Sequence, residues 1–152
     1  MGRILVTGGA GYIGTHTTLS LIEAGYEVLI LDNFSNSKRC AITRLQTIVR
    51  QQVEYIEGDV RDAEILKHIF TDYDVSAVIH LAGLKAVGES VVSPLKYYDH
   101  NILGTITLLK AMLASDVKKI VFSSSATVYG QPEYLPIDEV HPTCAINPYG
   151  RS

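Results

Sequence analysis

The chain has 152 residues, 47% of them apolar, and its 13 Lys and Arg stand against 16 Asp and Glu for a net charge of −3. Size and charge describe one soluble globular domain and argue against nucleic acid or an anionic membrane as partner, since there is neither a basic run nor a positive balance. No apolar stretch reaches the ~20 residues of a membrane helix, the N-terminus lacks the apolar core of a secretory signal, and Cys40 and Cys144 make no C-x-x-C pair, so a reducing cytoplasm is expected.

Arg3-Ile4-Leu5-Val6-Thr7 opens as a continuous apolar run, the pattern of a parallel strand buried on both faces. From Tyr12 to Ala24 the spacing of Ile13, Leu19, Leu21 and Ile22 fits a helix, with Gly25 placed for a left-handed cap. Glu27 to Leu31 reads as a second strand. Between Lys38 and Gln51, Ala41, Ile42, Leu45, Ile48 and Val49 recur on one helical face. Val53 to Glu57 reads as a third strand, closed by Gly58-Asp59, and Asp62 can cap a helix carrying Ile65, Leu66, Ile69 and Phe70. Ala77 to Leu81 makes a fourth strand. A long helix is predicted from Ser93-Pro94, with Ser as cap, Pro in the first turn and an apolar stripe of Leu95, Tyr98, Ile102, Ile106, Leu109 and Leu113. Lys119 to Ser123 is the fifth strand, and the proline-rich stretch from Gln131 to Pro148 has no period and reads as loop.

Strands alternating with helices predict an α/β fold with a Rossmann-type, doubly wound parallel sheet. Residues 1–152 then form one NAD-binding domain, expected to be the incomplete N-terminal part of the fold because no helix follows to cover strand five, with a substrate domain absent.

The run Thr7-Gly8-Gly9-Ala10-Gly11-Tyr12-Ile13-Gly14 satisfies both G-x-G-x-x-G and G-x-x-G-x-x-G. It follows the first strand and opens the first helix, where backbone N–H groups and the helix dipole meet a pyrophosphate. Asp32 closes strand two 18 residues after Gly14, near the spacing of the carboxylate that binds a ribose 2′-hydroxyl. That favours NAD over the 2′-phosphorylated cofactor, although Lys38 and Arg39 stand close by and an arginine there can accept a phosphate. Asp59, at the end of strand three, could contact adenine or be a solvated acid. Gly8–Gly14, Asp32–Ser37, Asp59-Val60, Leu81–Lys85 and Ser123–Ala126 occupy carboxyl ends of parallel strands and are expected to converge on one crevice. His16, His68, His80, His100 and His141 include no pair with metal-ligand spacing on a shared helix face, so no metal is predicted.

Beyond these patterns, Thr7–Gly14, Asp32-Asn33-Phe34-Ser35-Asn36-Ser37, Leu81 to Ser90, Phe122 to Gly130 and Asn147-Pro148-Tyr149-Gly150 carry a resemblance. They look like the UDP-glucose 4-epimerase branch of the extended short-chain dehydrogenase/reductase family, and the resemblance runs from Met1 to Ser152. It implies that Tyr149 takes the proton of a UDP-hexose 4-hydroxyl while hydride moves from C4 to NAD, and that Ser125 hydrogen-bonds the reacting hydroxyl. It implies cofactor contacts from Gly8, Gly11, Tyr12, Ile13, Gly14, Asp32, Asn33, Phe34, Ser35, Asn36, Ser37, Asp59, Val60, Leu81, Ala82, Gly83 and Lys85. Substrate contacts are implied for Lys85, Ala86, Val87, Ser124, Ser125 and Ala126, and a homodimer for the complete protein. The family's lysine four places after the tyrosine falls one position past Ser152, so the 152 residues themselves are expected to bind NAD and be nearly inactive. His100 stands where the family has a cofactor-contacting Asn, and Leu81 where it commonly has Phe. A 4,6-dehydratase, which usually carries Thr-Asp-Glu where this chain has Ser125-Ala126-Thr127, and a non-catalytic NAD-binding module are the alternative readings.

Overall fold

The computed structural model describes residues 2–152. The chain divides into two units, Met1–Ala82 with Gly104–Ser123, and Gly83–Leu103 with Ser124–Ser152. Among the described residues no helix is long and apolar enough to cross a membrane.

The first unit is built on a five-stranded, all-parallel sheet. Its strands are β1 (Arg3–Thr7), β2 (Val28–Asp32), β3 (Glu54–Glu57), β4 (Val75–His80) and β5 (Ile120–Phe122), in the order β3-β2-β1-β4-β5. The connections include α1 (Tyr12–Glu23), α2 (Arg39–Val49) and α3 (Ala63–Asp72). Because side chains alternate along a strand, each continuous apolar run feeds two cores. Leu5, Leu29, Leu31 and Val78 face one way and pack with Leu66 and Ile69 of α3. Ile4, Val6, Val28 and Ile30 face the other way and pack with Ile42 and Leu45 of α2, with Leu19 and Ile22 of α1 against them. This is the doubly wound Rossmann-type arrangement expected. Strand ends differ from the sequence reading by one or two residues. The largest shift is at β4, which begins at Val75 because Val75 pairs with Arg3 before the register slips between Arg3 and Ile4.

Local signals account for the helix ends. Asp62 Oδ1 accepts from the N–H groups of Glu64 at 2.9 Å and Ile65 at 3.2 Å, capping α3 as predicted. At the end of α1, Gly25 takes φ +86°.

The predicted helix from Pro94 is instead three pieces, preceded by one the sequence did not suggest. In the second unit α4 (Val87–Val92) breaks at Ser93, then α5 (Pro94–Tyr97) runs into a π-helical stretch, Tyr98–Leu103; α6 (Gly104–Ala114) belongs to the first unit. Ser93 precedes Pro94 with φ −132° and makes no side-chain capping bond, which corrects the predicted cap. The buried line of α6 is Gly104, Leu108 and Met112, the last two joining the α3 core, while Ile106, Leu109 and Leu113 face outward. Val121 and Phe122 of β5 are exposed as well. The second unit also holds a 3-10 turn at Ala126–Tyr129 and α7 (Pro148–Arg151), a single turn that starts where the predicted loop ends. Asn147 Oδ1 caps it by accepting from Gly150 N–H at 2.8 Å.

Candidate active site

In the sheet unit the parallel register places Gly8, Asp32, Gly58-Asp59 and Leu81 along the carboxyl edge. The loop after β1 needs its glycines. Gly8 has φ +70°, and a Cβ there would stand 2.8 Å from the backbone nitrogen of Ala82. A Cβ on Gly14 would stand 2.2 Å from the Gly8 carbonyl oxygen, so α1 starts flush against the loop only because Gly14 has no side chain. Gly11 occupies the cap position of α1 without a side-chain bond. The N–H groups of Tyr12, Ile13 and Gly14 have no intrahelical acceptor; Tyr12 and Ile13 are exposed and Gly14 is buried against the loop, so the start of α1 turns N–H groups and the dipole toward an anion.

Asp32 is 8% exposed and aimed at that loop. Its Oδ2 accepts from Ala10 N–H at 2.9 Å, and its Oδ1 accepts from Phe34 N–H and Ser37 Oγ, both at 2.8 Å. The carboxylate therefore ties the glycine loop to the 33–37 loop. Asn33 bridges onward: its Oδ1 accepts from Ser35 N–H at 3.0 Å and its Nδ2 donates to Asp59 Oδ2 at 2.9 Å. Ser35 and Asn36 are exposed. Arg61 donates to both oxygens of Asp59, Nε at 2.9 Å and Nη2 at 2.8 Å, and holds this carboxyl well below the usual carboxylate range. The Val60 side chain, by contrast, is buried in the α3 core.

Behind the edge lies a polar relay that the sequence reading passed over. His80 is 2% exposed, with Nδ1 2.6 Å from Thr7 Oγ1 and Nε2 3.0 Å from Thr105 Oγ1. Ala82 N–H donates to the same Thr7 oxygen at 3.3 Å. The order that satisfies each group runs Ala82 N–H to Thr7, Thr7 O–H to Nδ1, and Nε2–H to Thr105. Burial alone pushes the imidazole down to about 4, keeping it neutral. Leu81 N–H donates to Thr7 O at 3.0 Å, so Leu81 and Ala82 are both fixed on Thr7. The available signal was a histidine in an otherwise apolar strand.

The second unit fixes the remaining candidates. Asn101, in the π-helical stretch, treats Leu84 as a strand would: Leu84 N–H donates to its Oδ1 at 2.8 Å and its Nδ2 donates to Leu84 O at 2.9 Å. Tyr97 is 0% exposed, and its hydroxyl accepts from Ala86 N–H at 3.0 Å while lying 2.8 Å from Ala86 O and 2.9 Å from Glu89 Oε2. Gly83–Val87 is thus pinned from beneath at Leu84 and Ala86, with Gly83, Lys85, Ala86 and Val87 exposed. Glu89 is held in turn by Lys96 Nζ at 2.6 Å. His100 Nδ1 bonds Lys96 O at 2.8 Å, and since a carbonyl only accepts, Nδ1 carries the proton.

Ser125 Oγ accepts from Thr127 Oγ1 at 2.9 Å and Thr127 N–H at 3.3 Å, which caps the 3-10 turn and leaves its own proton to donate. Ser124 and Ala126 beside it are exposed. Tyr149 sits in α7, its ring edge-on to Tyr97 at 6.2 Å. The two turns touch where Gly150, for which a Cβ would stand 2.6 Å from Thr127 O, admits the close approach. So Ser125 and Tyr149 share one small assembly with the Lys85 loop. Tyr97 and Asn101 were missed because their role lies in contacts with distant backbone, and among the neighbouring polar residues Lys96, Asp99 and His100 nothing in the sequence sets them apart.

The family model described as GDP-mannose 4,6 dehydratase matches residues 5–152. The chain is 54% identical over 160 residues to UDP-glucose 4-epimerase of Mus musculus, an alignment covering all of this chain and 46% of that one. UDP-glucose 4-epimerase of Bacillus subtilis (strain 168) is 54% identical over 149 residues, with 98% of this chain and 44% of its own length covered. The crystal structure of UDP-glucose 4-epimerase from Bifidobacterium longum in complex with NAD+ and UDP superposes with a TM-score of 0.96 at 51% identity, over 98% of this chain and 45% of that one. The chain spans less than half the length of the relatives it matches.

Proposed function

The chain belongs to the nucleotide-sugar enzyme family described as GDP-mannose 4,6 dehydratase, within the extended short-chain dehydrogenases/reductases, and on that premise we propose that it binds NAD and serves the C4 epimerisation of a UDP-hexose such as UDP-glucose or UDP-galactose. The observation that carries this reading is the 54% identity to UDP-glucose 4-epimerases along the whole chain. Ser125-Ala126-Thr127, which holds no carboxylate, favours epimerase over dehydratase.

The residues fit the cofactor. A loop with no room for a Cβ at Gly8 or Gly14 and an open helix N-terminus suit a pyrophosphate. A carboxylate anchored at Asp32 suits the 2′-hydroxyl of the adenosine ribose, and Asp59 extends the same edge. When bound, NAD supplies a hydride acceptor that takes the C4 hydrogen with its electron pair and returns it to the opposite face of the 4-keto sugar.

The chain's own part is proton handling and positioning. Tyr149 receives the 4-hydroxyl proton and gives it back, while Ser125, with its hydroxyl proton free to donate, bonds the sugar oxygen through the exchange. Lys85 and the backbone of Ala86 and Val87 line the sugar, on a loop that Asn101 and Tyr97 keep in place. An ordinary phenol, with pKa ~10, needs a cation beside it to act as base at neutral pH. Residues 1–152 are the NAD-binding portion of this machinery, of a cytoplasmic protein that is a homodimer when complete.

Titrating the 152-residue chain with NADH, followed by nicotinamide fluorescence, tests the cofactor, with saturable binding expected. Incubation with UDP-galactose and NAD, analysed for UDP-glucose, is expected to show conversion far below ordinary enzyme rates. Absence of NADH binding rejects the reading, and rapid conversion shows that no further cation is needed.

A further inference from the structure

We infer that Glu57 decides the choice between NAD and its 2′-phosphorylated form by holding the Arg39 guanidinium, an inference that rests on the ribose lying at Asp32. Strand register makes Asp32 and Glu57 direct neighbours at the ends of β2 and β3. Arg39, the first residue of α2, sends Nη2 to Glu57 Oε2 and lays its guanidinium over the Phe34 ring, 5.0 Å from the centroid. Phe34 is itself anchored to the acid: its N–H donates to Asp32 Oδ1, its φ is +54°, and its ring meets Tyr55 edge-on at 6.0 Å. Arg39 is therefore stacked and ion-paired on the flank of the very loop that Asp32 organises.

Charge explains what this arrangement selects. Asp32 and Glu57 are negative and Arg39, with exposed Lys38 next to it in the chain, is positive; with the Arg39 guanidinium engaged by Glu57, an incoming 2′-phosphate meets the Asp32 carboxylate, whereas a 2′-hydroxyl brings no charge and finds an acceptor in Asp32. Both partners of the Arg39–Glu57 pair are about half exposed, and such a pair is weak by itself. Arg39 could leave it for a phosphate, whose oxygens match the guanidinium fork. Leaving, however, strands two carboxylates next to the new anion. Glu57 thus acts twice, engaging the Arg39 guanidinium and adding a repelling charge, and its removal should turn Arg39 into a phosphate ligand.

The test is a set of NADH and NADPH titrations at low ionic strength on the unmodified chain, on Glu57→Gln and on Arg39→Met/Glu57→Gln. Glu57→Gln is expected to tighten NADPH about tenfold and leave NADH within twofold, with the gain shrinking in high salt. The double variant is expected to lose the gain. An unchanged NADPH-to-NADH ratio in Glu57→Gln, with NADH still binding, overturns the role of Glu57 alone. Tightening that persists in the double variant overturns the part given to Arg39, since lost repulsion then explains everything. If the unmodified chain binds no NADH, the cofactor reading falls and this inference with it.

Discussion

His80 shows how one buried side chain makes a fold sensitive to pH. Its imidazole is pushed down to about 4 by burial, against 6.5 for an ordinary histidine. Between those values the unfolded chain takes a proton that the folded chain refuses, so stability is full above about pH 6.5 and falls as the pH drops toward 4. The shift corresponds to about 3 kcal/mol. Urea unfolding at pH 7 and pH 4.5 should show this loss in the native sequence and much less of it in His80→Asn. Asp59 acts in a different window: its carboxyl is lowered, so its contribution fades only in stronger acid, as the pH falls below the ordinary carboxylate value. Asp32→Ala should weaken NADH binding by about 1–3 kcal/mol, the worth of a charge-assisted hydrogen bond, and fluorescence titration reads it directly. Spacing alone marks Asp32 as the candidate ribose acid, a strand-end carboxylate 18 residues past the last glycine. Its bonds to Ala10, Phe34 and Ser37 were not legible, because a sequence does not say which backbone donors a carboxylate will collect.

At the scale of elements, the strands and the first three helices were readable because each follows a single rule of period and punctuation. Asp62 was marked as a cap by its place before an apolar repeat, and Asp62→Ala should cost about 1 kcal/mol, seen as a lower midpoint in urea with an unchanged slope. The stretch after β4 was misread because the 3.6-residue rule assumes an unbroken α-helix. A π-helical turn shifts the phase of everything beyond it, and only contacts such as Asn101 to the Leu84 backbone show that such a turn is there. Tyr97→Phe tests the neighbouring contact. It keeps the ring against Tyr149 but strips Ala86 N–H and Glu89 of a partner, and should cost about 1–2 kcal/mol of stability, read as a lower midpoint in urea.

For the molecule as a whole, exposure of Ile106, Leu109 and Leu113 on α6 and of Val121 and Phe122 on β5 leaves apolar surface that a protein in water tends to cover. Sedimentation velocity across a range of concentrations should show self-association, and Leu109→Lys with Leu113→Lys should shift the population toward monomer. A single sharp monomer peak for the native sequence at all concentrations rejects this. The order β3-β2-β1-β4-β5 has a consequence in time as well as in space. β1 is made first and meets β2 about 24 residues later, but its other neighbour, β4, follows only after about 73. The added loop length costs only about 1 kcal/mol of closure entropy. At the pace of a ribosome, though, the extra ~50 residues take about 2–10 s. Throughout that interval the central strand is a bare edge, its N–H and C=O groups unpaired on one side. The newborn chain is therefore open to strand pairing with the wrong partner, and slower translation between β2 and β4 would lengthen the exposure.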